Sequence, residues 1–412
     1  MKRRHLPNYP RRETLELEAK TLLTNALASA ESAVTELRSV HAEPASATLA
    51  DAQQALAMSY GVPSWQRLMQ ACEMIHAIRT DDLATVESLV QNHPELLHED
   101  ARGVAGNWGP PLSYAANLGH LAIVQALYAA GSRDIQHAFE RACLQGKLDT
   151  ARWLFEQGAE VVPGIVMGAC ETQNGDGLEL LLQLGAELVD AEGDRLAPLA
   201  LLLETYCRDP EGKHKCLSLV SQRCDIELPD TPVMAVHRGS IEALERQFES
   251  DPDVVHRRFS YRDIYPLELG CHRDETLGLH GTPLDGTTLL HLCVDMDEVS
   301  LASWLLAHGA DVNAKATLDD EGFGGHTPLF NAAVSQAHTC GRQRDGAMVR
   351  MLLDAGADPH ARANLRKTLR FVEDETMHEF HNVTPLEYAQ EFHDQRWCNP
   401  EVNRLLAQAL RG

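Results

Sequence analysis

The chain has 412 residues, 44% of them apolar and only 5% aromatic, with a formal net charge of −24. That length admits two or three domains or one long repeat array, and the apolar share can build a sizeable core. The scarcity of aromatics beside abundant Ala and Leu argues against a sandwich, and the acidic balance argues against nucleic acid as a general partner.

No apolar run approaches the ~18 residues that span a bilayer, so no membrane partner is expected. The longest candidate, Leu196 to Leu203, is short and contains Pro198. The basic start, Lys2, Arg3, Arg4, Arg11 and Arg12, is followed by no apolar stretch and reads as a solvated tail rather than a secretory signal. The ten cysteines form no Cys-x-x-Cys pair. Cys143, Cys170 and Cys293 fall where a small hydrophobe suits a helix, which fits a reducing, cytoplasmic setting.

Residues 1–70 read as a helical segment. Leu17 to Leu23 opens an amphipathic helix, Ala50 to Ala57 forms another, Gly61 breaks it, and Pro63, Ser64 and Trp65 start the next. Trp65 reads as a packing anchor. From residue 71 a helix pair recurs. Pro110-Pro-Leu-Ser-Tyr-Ala-Ala116 precedes Gly131; Ala142-Cys143 precedes Gly158; Ala169-Cys170 precedes Gly185. The three glycines are 27 residues apart, so these units have kept the helices and lost a long connecting loop. Ala197 to Ala200 with Cys216 to Val220, and Thr231 to Ala235 with Ile241 to Leu244, are two more pairs. Asn92-His-Pro-Glu-Leu-Leu-His98 is echoed by Ser250-Asp-Pro-Asp-Val-Val-His256, with Pro where a helix must stop. The echo divides the repeats into blocks of 71–230 and 231–412.

The second block carries the sharpest pattern. Gly286-Thr-Thr-Leu-Leu-His291 is followed by Leu301 to Asn313; His326-Thr-Pro-Leu-Phe-Asn-Ala-Ala333 by Val349 to Asp358; Thr384-Pro-Leu-Glu-Tyr-Ala389 by Val402 to Ala407. Thr caps a first helix, Pro suits its first turn, Leu-Leu buries into a stack, and Gly closes the second helix. Leu305, Leu306, Leu352 and Leu353 are therefore expected to be buried. These units resemble the ankyrin repeat, with its Thr-Pro-Leu-His-x-Ala signature and its Leu-Leu-x-x-Gly-Ala-Asp ending. The resemblance implies an all-α ankyrin-repeat solenoid of about nine helix pairs. The first 70 residues resemble the amino-terminal segment of some bacterial ankyrin-repeat proteins of unassigned function, and would cap the apolar face of the first repeat. His291 stands in the ankyrin His position, which implies a bond to backbone in the neighbouring turn.

Long insertions gather in the second block, at 256–286, 314–326, 334–347 and 361–383. They are rich in specific side chains, and connections of such length are uncommon unless functional or disordered. The residues of interest are Tyr261, Arg262, Asp263, the run His272 to Glu275, His280, Asp319, Asp320, Glu321, His326, Arg366, Lys367, Arg370, His378 and His381. Each of the insertions at 256–286, 314–326 and 361–383 leaves and re-enters the stack in register, so these three should share one side and touch, with Arg366, Lys367 and Arg370 facing Asp319, Asp320 and Glu321 beside His280, His326 and His378. Gly322-Phe-Gly-Gly325 reads as a sharp turn. The reading is a cytoplasmic scaffold that binds a protein partner through its concave face and these loops. The alternative is a small-molecule or metal-dependent enzyme using His326, Asp319 and His280. No cofactor motif is present: neither a phosphate-cradling loop nor a Gly-x-Ser-x-Gly elbow occurs. His378-Glu-Phe-His381 has the wrong spacing for a zinc-protease pair, so no metal ligand set is assigned.

Overall fold

A computed structural model describes residues 4, 6, 10–99, 109–223, 226–272, 280–335, 345–370 and 374–411. Lys2, Arg3, the stretch Arg273 to Glu275 and residues 336–344 of the 334–347 insertion lie outside them. The chain forms two compact units, Met1–Glu160 and Val161–Gly412.

The first unit opens with α1 (Arg12–Leu27), α2 (Glu31–Leu37) and α3 (Leu49–Ser59). These helices share an apolar core that includes Leu22, Leu37 and Ala52. Thr48 caps α3 in a reciprocal box with Asp51. Gly61 then takes φ +75°, and Ser64 caps α4 (Trp65–Arg79), where Trp65 is half-buried. Three pairs follow in which a first helix packs on the next first helix: α4 with α5 (Leu83–Asn92), α6 (Pro111–Leu118) with α7 (Leu121–Ala130), and α8 (Ile135–Leu144) with α9 (Leu148–Glu156).

The second unit holds six pairs. They are α10 (Val166–Glu171) with α11 (Gly175–Gln183), α12 (Ala197–Glu204) with α13 (Pro210–Arg223), and α14 (Pro232–His237) with α15 (Ile241–Ser250). After a short α16 (Tyr261–Ile264) come α17 (Leu289–Asp295) with α18 (Val299–Ala307), α19 (Pro328–Ala333) with α20 (Ala347–Asp354), and α21 (Pro385–Glu391) with α22 (Pro400–Ala409). Nine pairs thus stand among the described residues. The two Pro echoes both form short 3-10 turns, at Pro94–His98 and Pro252–Val255.

Thr231, Thr288, Thr327 and Thr384 all occupy N-cap positions, and Gly131, Gly158 and Gly185 close their second helices with positive φ. The Leu pairs correct the expectation of full burial. Leu305 and Leu352 are wholly buried, whereas Leu306 and Leu353 are half-buried. Consecutive helical residues point about 100° apart, so in these outer helices one Leu faces the stack and its neighbour lies at the edge.

Four short strands run along the loop edge: β1 (Arg258–Phe259), β2 (Thr287–Thr288), β3 (Ala363–Lys367) and β4 (His378–Val383). β1 pairs antiparallel with β2, and β3 with β4. The 361–383 insertion is therefore a hairpin rather than an irregular loop. A second departure concerns the inner face, lined by the first helices. Every residue of α14, α17 and α19 is buried. The chain itself covers them: Ile264 accepts a hydrogen bond from His237 of α14 (2.8 Å), Thr282 donates to the Phe330 carbonyl of α19 (3.2 Å), and Tyr388 of α21 donates to the Gly281 carbonyl (2.7 Å).

In denaturant unfolding, Leu305→Ala and Leu352→Ala should each cost about 2–5 kcal/mol, and Leu306→Ala and Leu353→Ala less than half as much. Equal losses within either pair would contradict this assignment of helix faces.

Candidate functional site

The 314–326 loop is built around Asp319. Its Oδ1 accepts the main-chain N–H of Glu321 and of Phe323, both at 2.9 Å, and Gly322 turns with φ +83°. At Gly324, with φ +112°, an added Cβ would lie 2.1 Å from the Thr317 carbonyl oxygen, so only glycine fits. Gly324 N–H donates to Asn364 O (2.7 Å) and Asn364 Nδ2 donates to Gly322 O (3.1 Å), which joins the loop to β3. Thr317 N–H donates to Gly286 O (2.9 Å), which joins it to the insertion before it. The three insertions at 256–286, 314–326 and 361–383 therefore lie side by side and are linked by main-chain hydrogen bonds.

Between them is a groove of about 340 Å³, whose lining includes Asp285, Leu318, Asp319, His326, Arg366 and Met377. Arg366 bonds Asp319 (2.7 Å) and Glu321, and its guanidinium lies 4.9 Å from the centroid of the Phe323 ring. His381 approaches that ring from 5.5 Å. Partial burial opposes charge on Asp319, yet the N–H groups of Phe323 and Glu321 and the Arg366 guanidinium hold its carboxyl below the usual range. Asp320 is exposed on the rim, Lys367 is buried at the base of the groove, and Arg370 pairs with Glu375 at 3.7 Å.

Other expected residues sit elsewhere. Tyr261 is an interior side chain, its hydroxyl 3.4 Å from Glu204 and its ring 5.0 Å from that of Tyr265. Asp263 caps α16 in a reciprocal box with Ser260, while Arg262 is exposed. His280 is buried with its ring 6.0 Å from Tyr261. His378 bonds Asp374 (3.0 Å) and stacks on His393 at 4.0 Å, away from the groove lining.

His326 is the main correction. It is 1% exposed and its Nε2–H donates to Pro283 O (3.0 Å), while its own carbonyl accepts from His291 Nε2–H (3.1 Å). His291 Nδ1 in turn accepts from Thr288 Oγ1 (2.9 Å). A substitution at His326 would therefore disturb the loops themselves. With His280 and His326 both buried, the three residues of the catalytic alternative present little more than Asp319 to solvent.

A second polar cluster escaped sequence reasoning. Buried Arg208 donates to the Asp295 carbonyl (2.7 Å) and carboxylate (2.8 Å). Buried Lys213 donates to His237 Nδ1 (2.8 Å) and approaches Met296 Sδ (3.3 Å). Burial draws the Lys213 amine down to about 7. These residues are scattered over positions 208–296, so no spacing announces them. Their burial makes the cluster a tie between segments rather than an opening for a ligand.

The comparisons with known proteins come down to two stretches of this edge, residues 285–317 and 324–364, which match the ankyrin repeat model. Over these stretches the chain is similar to ankyrin repeats. They hold α17 to α20 and, of the groove lining, only Asp285, Thr317, Gly324 and His326; ankyrin repeats generally bind other proteins. Among solved structures, the human ASB11 ankyrin repeat domain is similar at 20% identity and a TM-score of 0.23, over 73% of this chain and 97% of that one. No curated protein matches. Among the described residues, no helix is long and apolar enough to cross a membrane.

The ankyrin histidine also sets a pH response. Burial first, and His326 beside it, push the His291 imidazole down to about 3 from an ordinary 6.5. The unfolded chain then takes up the proton before the folded one, so stability should fall as pH drops from about 6.5 toward about 3. His291→Gln should cost about 1–3 kcal/mol at neutral pH and flatten that fall in urea titrations at several pH values. An unchanged slope would show that the pH response has another source.

Proposed function

We propose that this chain is a cytoplasmic binding scaffold whose hairpin edge, at residues 256–383, recognises a protein partner. The observation that carries this reading is a contrast between two faces. The inner face at α14 and α19 is covered by the chain's own Ile264 and Thr282, whereas the groove beside it is open and flanked by apolar side chains. Leu318 is 60% exposed and Met377 46%, and exposed apolar patches of this kind mark interaction sites. Recognition through the concave face, as the sequence suggested, is confined on this reading to repeats that the insertion leaves uncovered. The cytoplasmic setting is supported by eight described cysteines, all buried and none in a disulfide. Helices α1 to α3, with a core of their own and α3 against α4, serve on this reading as the cap for the first repeat.

The test places a photocrosslinking amino acid at position 318, 377 or 241 of the full chain in native lysate. Discrete protein adducts are expected at 318 and 377 and none at 241, an exposed site on α15. Adducts of equal yield at all three positions would sink the proposal.

A further inference from the structure

The groove's lining says what chemistry would fill it, given the reading of this edge as a partner surface, on which the following inference rests. Its apolar element is the pair Leu318 and Met377, contributed by the 314–326 loop and by the turn into β4. Neither residue packs into the protein's interior, and both line the same space. A side chain placed there would be dehydrated against both, which suits an aliphatic group.

The charged element is acidic. Asp285 and Asp319 line the groove and are exposed, with Asp320 and Glu321 exposed beside them. The two cations of the lining offset only two of these four charges. Arg366 bonds both Asp319 and Glu321 and lies over Phe323. Lys367 is 2% exposed. The field presented to solvent is thus negative, and the chain as a whole carries −24. Acidic partners and nucleic acid are repelled on approach, whereas basic segments are steered in.

We propose that the groove is a docking site for a segment of a partner polypeptide that offers an aliphatic side chain flanked by arginine or lysine. The aliphatic group sits between Leu318 and Met377, and the flanking cations meet Asp285 and the exposed acidic loop that carries Asp320.

The test uses the full chain and three fluorescein-labelled heptapeptides, read by fluorescence anisotropy. One has central leucines flanked by arginines, the second has glutamates in place of the arginines, and the third has serines in place of the leucines. Only the first should bind, with an affinity that weakens as salt is added. The double variant Leu318→Ser with Met377→Ser should weaken it at least about tenfold, as loss of an interface anchor does. Asp285→Asn keeps an acceptor for the Tyr261 N–H and should weaken it by about threefold to tenfold through the rim charge alone. Melting temperatures should be unchanged, since the substituted side chains are exposed. If the glutamate peptide binds as tightly and the double variant abolishes both, the charge preference falls while the hairpin edge stands as a binding surface. Absence of binding by every peptide, or binding that survives the double variant, overturns the proposal. So does concentration-dependent dimerisation of the wild type that the double variant abolishes, since the occupant would then be a second copy.

Discussion

Two imidazoles hold the loop edge together. His291 accepts from Thr288 at the start of its own helix and donates to the carbonyl of His326. His326 donates to the carbonyl of Pro283, in the insertion that precedes α17. Three chain segments, near residues 283, 288 and 326, are thereby fixed within hydrogen-bond distance of one another. Each ring is buried, so each bond is made at low dielectric, where leaving it unmade would cost more than in water. The groove exists because this register is kept: Asp285 is two residues from one end of the chain of bonds, and the 314–326 loop runs into the other.

Residues 261–272 and 280–284 change what the repeats can do. In an open array, the first helices would expose one face for a partner. Here Ile264, Gly281 and Thr282 meet that face through backbone and side-chain hydrogen bonds, and Tyr265 rests against His237 with ring centroids 5.8 Å apart. Several of the polar groups so enclosed are paired. Arg208 satisfies the carbonyl and carboxylate of Asp295, Lys213 satisfies the free nitrogen of His237, and His272 bonds Glu204. Removing one partner from such a cluster leaves a buried group uncompensated, which costs more than the pair contributes.

The repeat architecture was legible because it rests on local rules. N-cap threonines, first-turn prolines and closing glycines act within four residues, and the proximity of the inserted loops followed from the stack resuming in register after each. What stayed hidden depends on contacts between distant residues. Nothing around Tyr261 or His280 distinguishes an interior side chain from a loop one, since the helices that bury them lie dozens of residues away. His326 was read as a site residue because it is polar and follows a glycine run, yet its place just before Thr327 at the head of a repeat makes it a link between turns. Leu318 and Met377 drew no notice, because a single apolar residue in a charged loop looks like any other until its exposure is seen.

The hydrogen bonds across the inner face span long stretches of chain: 87 residues from Arg208 to Asp295, and 107 from Gly281 to Tyr388. Repeat arrays ordinarily depend on nearest neighbours, so they can fray from an end one unit at a time and fold from any point. Links of this length abolish that independence in the second unit. Loss of α21 would strand the Gly281 carbonyl, and through it the segment that lies over α14 and α19. The unit should therefore melt as one cooperative block, and its folding should be slowed by the loop closures that such contacts demand.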